Sequence, residues 1–110
     1  TDSLYILIAD DVKLNQQVAR GILQKFGHRI EVANDGREAV AMVAANDYDL
    51  VLMDVQMPEM SGIDATAAIR ALPGDRAAVP VIAMTAHAME GDRESLMAAW
   101  IGFESQYARR

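Results

Sequence analysis

The stretch "VLMDVQMPEM", residues 51–60, decides the fold. An unbroken apolar run delivers a carboxylate, Asp54, to the point where the chain turns irregular, and Pro58 follows four residues later. A short apolar run rich in β-formers reads as a strand buried on both faces. Strands of that kind belong to parallel sheets covered by helices, and ligands of such sheets gather beyond the carboxyl ends of the strands. An acid at that end therefore asks for a chemical explanation.

Outward from residue 54, two periodicities alternate. "LYILIA" (4–9) is a second buried strand, ending at Asp10 and Asp11. Between residues 15 and 26, Val18, Ile22, Leu23 and Phe26 form a helical stripe closed by Gly27. "HRIEVA" (28–33) alternates as a strand does, and "NDG" (34–36) is a turn. Residues 38–45 are Ala-rich and helical, with Val40 and Val43 facing inward. Residues 61–72 form another helix with Ile63, Ala67, Ile69 and Arg70 near its inner face; "PGDRAA" (73–78) is a loop. "VPVIAMTA" (79–86) is a further buried strand, followed by one more helix. The order β-α-β-α-β-α-β with short connections predicts an α/β class, a doubly wound parallel sheet with helices on both faces.

Bulk properties bound the answer. One hundred and ten residues, 52% of them apolar, make one domain with a core of its own. A net charge of −6 argues against bulk electrostatic binding to nucleic acid or an anionic membrane. There is no cysteine, which removes disulfides and thiolate metal sites. No apolar run is long enough for a membrane span and no secretory signal opens the chain, so a cytoplasmic module is expected. The start at Thr1 suits an excised or processed domain.

Asp10 and Asp11 follow the first strand, Asp54 ends the third, and Thr85 ends the fourth. A single Asp after a strand is ordinarily a cap or turn residue. An adjacent pair, a third strand-end acid and a strand-end hydroxyl together point to a site. Converging carboxylates repel by roughly 4 kcal/mol per close pair at intermediate dielectric, so something must compensate. With only oxygen ligands on offer, a hard cation that keeps waters fits, Mg²⁺ or Mn²⁺. Other residues attract blander readings. His28 is expected at the surface, His87 in an exposed loop or gating the pocket, and Met53, Met57, Met60 and Met84 in packing. Asn15 suits either a helix start or a pocket rim, and Glu59 and Asp64 are expected to be solvated.

"LIADD" with Asn15, "VLMDVQMPEMSGIDATAAIR" and "VPVIAMTAHAMEGD" resemble the receiver domain of bacterial response regulators, and more narrowly the receivers attached to hybrid histidine kinases. The resemblance covers residues 4–99 and implies the flavodoxin-like receiver fold. It implies that Asp54 accepts a phosphoryl group from the phosphohistidine of a histidine kinase or phosphotransfer domain. Asp10, Asp11, Asp54 and the backbone carbonyl of Gln56 would hold Mg²⁺. Thr85 and the amide of Ala86 would contact the phosphoryl oxygens. The residue chemistry agrees, because a carboxylate forms an acyl phosphate when charge is neutralised and the partners are positioned. Pro58 would stiffen the metal-side loop, and Gly62 would allow close packing or an unusual backbone angle.

After residue 99 the resemblance ends. The family continues with a fifth strand, a Lys-Pro pair and a fifth helix, whereas "WIGFESQYARR" (100–110) follows here. With Phe103 at the aromatic switch position, the lysine slot falls on Gln106 and the proline slot on Tyr107. The only lysines are Lys13 and Lys25. A neutral donor in place of the ammonium weakens contact with a phosphoryl group, since charge-assisted bonds are about twice as strong. A sheet lacking the fifth strand and fifth helix would also leave a bare apolar edge at residues 79–86. Met89, Leu96, Trp100, Phe103 and Tyr107, with Arg93 as the exception, make a heptad-like stripe. A terminal helix over residues 89–108 pairing in a two-fold homodimer is the expectation, with a frayed tail or a frame-shifted ending as alternatives. The functional alternative is a degenerate receiver serving as a dimerisation or interaction module without efficient phosphorylation. A metal-dependent phosphohydrolase would want a second acid where Val55 and Gln56 stand, and nucleotide or flavin binding would want a Gly-rich phosphate loop.

Overall fold

A computed structural model describes residues 3–84. The chain runs β1 (Tyr5–Ala9), α1 (Lys13–Lys25), β2 (Arg29–Ala33), α2 (Gly36–Ala45), β3 (Leu50–Asp54), α3 (Gly62–Arg70), a 3₁₀ turn (Gly74–Ala78) and β4 (Val81–Met84). All pairings are parallel, in the spatial order β2-β1-β3-β4. This is the doubly wound, flavodoxin-like α/β arrangement expected from the alternating pattern. Among the described residues the sheet has four strands. Thr85, Ala86, His87, the terminal helix expected at residues 89–108, and Phe103, Gln106 and Tyr107 lie outside the described residues.

Alternate side chains of the strands feed two cores. Ile6, Ile8, Leu50 and Leu52 meet Ala19, Ile22 and Leu23 of α1 on one face. Leu7, Ala9, Val51 and Met53 meet Ala39 and Val43 of α2 and Ala65 and Ile69 of α3 on the other. β1 and β3 are buried on both sides, which is why they read as unbroken apolar runs. Each turn then has a local cause. Gly27 adopts φ +86 and stops α1. Asp35 caps α2 by accepting from the Glu38 amide at 2.8 Å, and Ser61 caps α3 by accepting from the Asp64 amide at 3.1 Å.

Four expectations are corrected. Phe26 is 53% exposed, because it is already outside the helix at φ −87 and ψ 6. The inner face of α3 is Gly62, Ala65 and Ile69, whereas Ile63, Ala67 and Arg70 are exposed. Residues 74–78 coil into a 3₁₀ turn, held by Arg70, whose guanidinium donates to the carbonyls of Ala77 and Val79 at 2.8 and 2.7 Å. His28 is buried, because its Nδ1 accepts from the Leu4 amide at 3.0 Å, at the edge where β1 begins.

Candidate functional site

The chain leaves β1 through α1 on one face and returns for β3 on the other side of β1, so β1 and β3 are neighbours at the point where the winding reverses. A crevice opens there beyond the carboxyl ends of the strands. Asp10 follows β1, Asp11 comes next, and Asp54 is the last residue of β3. Carboxylate oxygens of these three lie within 4.8 Å of one another. Asp10 is 0% and Asp54 4% exposed, while Asp11 faces solvent.

Burial pushes the Asp10 carboxyl up to about 6, and the charges of Asp54 and Asp11 push the same way. The Val12 amide, donating to Asp10 Oδ1 at 2.8 Å, and the Asn15 carboxamide pull it back. Burial also raises Asp54, with the Asp11 charge adding to it, against the amides of Gln56 and Val55. The Gln56 amide reaches Asp54 Oδ1 at 3.1 Å, which puts residue 56 at the rim of the cluster. Asp10 Oδ2 is buried without a hydrogen bond among the described residues. Three close carboxylates and one buried oxygen without a donor form an all-oxygen set that suits a hard divalent cation.

Loops hold these carboxylates from both sides. On the β3 side a Cβ at Gly62 would fall on the Asp54 carbonyl oxygen and lie 2.9 Å from the Asp54 carbonyl carbon and the Val55 Cα. Only glycine lets α3 pack this close, so Gly62 serves close approach and not backbone angle. Glu59 instead carries the positive φ, 66°, within a tight turn in which the Met60 amide donates to the Pro58 carbonyl at 2.7 Å. Both Glu59 and Asp64 are exposed, as expected, and Met53 and Met57 pack in the core.

On the β1 side, two residues not singled out in the sequence take part. Gln16 is buried, and its Nε2 donates to the Asp10 carbonyl at 2.6 Å and to Asn34 Oδ1 at 3.0 Å. Asn34 Oδ1 also accepts from Lys13 Nζ at 3.0 Å. A polar residue at the buried phase of the first helical turn, just past a strand-end acid, is the signal that marks Gln16. Asn15 is buried beside Asp10, which fits the pocket-rim reading. Asp10, Asp11, Asp54 and Gln56 are thus brought together, and Thr85 and Ala86 lie outside the described residues.

A family model described as "Response regulator receiver domain" matches residues 6–101. Hybrid signal transduction histidine kinase I of Dictyostelium discoideum is 40% identical over 98 residues, which cover 84% of this chain and 6% of that protein. The aerobic respiration control sensor protein ArcB of Escherichia coli is 35% identical over 96 residues, 87% of this chain and 12% of that protein. The chain therefore spans only 6% and 12% of the length of these two relatives. Among solved structures, the receiver domain of a sensor histidine kinase from Pseudomonas aeruginosa PAO1, with a magnesium ion coordinated in its active site cleft, is 38% identical with a TM-score of 0.73. That alignment covers 89% of this chain and 80% of the other.

Proposed function

The chain belongs to the response regulator receiver domain family, and from that premise we propose that it is the phosphoacceptor module of a two-component phosphorelay. The observation that carries the proposal is the convergence of Asp10, Asp11 and Asp54 within 4.8 Å at the strand-end crevice. Asp54 is the phosphoacceptor. It is the member set at the end of a rigid central strand, with the Gln56 amide fixing Oδ1.

One carboxylate oxygen of Asp54 attacks the phosphorus of a phosphohistidine. The O–P bond forms as the P–N bond breaks, and the imidazole nitrogen leaves with the electron pair of that bond. The product is an acyl phosphate on Asp54. Asp10, Asp11, Asp54 and the Gln56 carbonyl would hold Mg²⁺, or Mn²⁺, which neutralises the carboxylates and the phosphoryl oxygens when bound. Thr85 would donate its hydroxyl, and Ala86 its amide, to those oxygens. The donor is the phosphohistidine of a kinase or phosphotransfer domain, in keeping with the hybrid kinases among the relatives. The protein turns over no external substrate pool beyond this transfer and slow self-dephosphorylation, so it acts as a signalling module, not as an enzyme, and a cytoplasmic location goes with that role. No helix among the described residues is long and apolar enough to cross a membrane.

Incubation with a small-molecule phosphodonor and Mg²⁺, read by intact mass, tests the proposal. The wild type gains one phosphoryl group, and Asp54→Asn gains none. A wild type that gains none would favour the alternative of a degenerate receiver working as an interaction module. The lysine inventory is what favours that alternative. Lys13 gives its ammonium to Asn34, and Lys25 closes α1 at the far end of the sheet. A homodimer through pairing of terminal helices is a separate part of the proposal, compatible with either reading, and sedimentation of the intact chain against one ending at residue 88 tests it.

A further inference from the structure

The Asp10 carboxylate can serve a small cation only if its backbone is held still. Mg²⁺ demands near-ideal octahedral geometry, whereas Ca²⁺ accepts variable numbers and angles of ligands. Three hydrogen bonds fix the Asp10 unit. Its amide donates to the Ala33 carbonyl at 3.1 Å, its Oδ1 accepts from the Val12 amide at 2.8 Å, and its carbonyl accepts from Gln16 Nε2 at 2.6 Å. The last is the shortest of the three and comes from a side chain. Gln16 is buried, 7% exposed, and its one amide nitrogen bridges two acceptors: the Asp10 carbonyl on the strand-to-helix turn and Asn34 Oδ1 on the β2-to-α2 turn. Asn34 is itself held, since its amide and its Nδ2 both donate to Glu38 Oε1 at 3.3 Å. The turn that carries two of the three acids is thereby tied to the first turn of α2.

We propose that Gln16 is a positioning residue of the acidic centre, clamping the Asp10 carbonyl against Asn34 so that the Asp10 and Asp11 carboxylates keep an octahedral cation in preference to a larger one. The inference rests on the cation-binding reading above and adds the residue that sets its selectivity. Gln16 touches no cation and acts only through the Asp10 backbone. Outer residues of this kind commonly alter metal affinity by 10- to 100-fold when removed. Loosening the turn should cost Mg²⁺ most, because the larger ion tolerates displaced ligands.

The test is calorimetric titration of the full chain with MgCl₂ and, separately, CaCl₂, for the wild type, Gln16→Leu and Asn34→Ala. Gln16→Leu keeps the side-chain volume and removes the bridging donor. Its Mg²⁺ affinity should fall about tenfold or more, and its Ca²⁺ affinity by no more than about threefold. Asn34→Ala leaves Gln16 in place but frees its second anchor, and should shift the same ratio in the same direction by a smaller factor. A general loss of structure would weaken both ions alike, so equal losses, or an unchanged Mg²⁺ affinity, would overturn the proposal. Should circular dichroism show Gln16→Leu unfolded, Asn34→Ala decides alone, and an unchanged Mg²⁺-to-Ca²⁺ ratio would overturn it. A wild type that binds neither ion would instead defeat the cation reading itself, and this inference with it.

Discussion

Replacing Asp10 by Asn should make the metal-free protein more stable. The folded state raises the Asp10 carboxyl from the ordinary 3.8 to about 6, so at neutral pH folding carries a charge into a place that resists it. At about 1.4 kcal/mol per decade of proton affinity, the cost is on the order of 3 kcal/mol. Asn keeps the acceptor for the Val12 amide and puts an NH₂ where Asp10 Oδ2 is buried without a donor, beside two carboxylates able to accept from it. The sign with pH follows from the same values. Between 3.8 and about 6 the folded state holds a proton that the unfolded chain has released, so wild-type stability falls as pH rises through that window and levels off above it. Thermal unfolding by circular dichroism in a chelator at pH 7.5 should show Asp10→Asn melting on the order of 10 °C higher. The gap should shrink to a small fraction near pH 4, where folded Asp10 is protonated and the unfolded chain's carboxyl, at 3.8, is only partly so, and it should close below about pH 3. Mg²⁺ at about 100 times its dissociation constant should return about 2.7 kcal/mol to the wild type alone. A variant less stable than the wild type at pH 7.5 in chelator, or a gap that persists unchanged at pH 4, would refute the charge argument.

Three other substitutions probe the frame around the site. Gly62→Ala should destabilise by about 1–3 kcal/mol in urea unfolding, because its methyl would overlap the Asp54 carbonyl. Glu59→Gly should stabilise by about 0.5–1 kcal/mol, relief of the positive φ exceeding the entropy added to the unfolded chain. Asp35→Ala should cost about 1 kcal/mol, through loss of the acceptor for the Glu38 amide at the start of α2, as chemical denaturation would show.

Much of the fold was written locally. Strands buried on both faces must be apolar throughout, and β1 and β3 are legible for that reason. Strand-end acids stand out because they interrupt such runs, so Asp10, Asp11 and Asp54 could be picked before any coordinates. Helical phase was less legible. α3 turns Ala65 inward and Ile63 outward, against their hydrophobicity, because Gly62 must lie on the Asp54–Val55 backbone and that contact sets the rotation of the helix.

By itself, then, the sequence determined the order of elements, the α/β class and the three acids, since each depends on spacing along one segment. Only the tertiary structure decided what depends on a neighbour distant in the chain. His28 is buried because the Leu4 amide, at the start of β1, finds its acceptor there. Gln16 matters because the Asp10 carbonyl and Asn34, on two different turns, both come within reach of one amide nitrogen. A hydrogen bond between elements is fixed by how the layers pack, and no periodicity within one element records it.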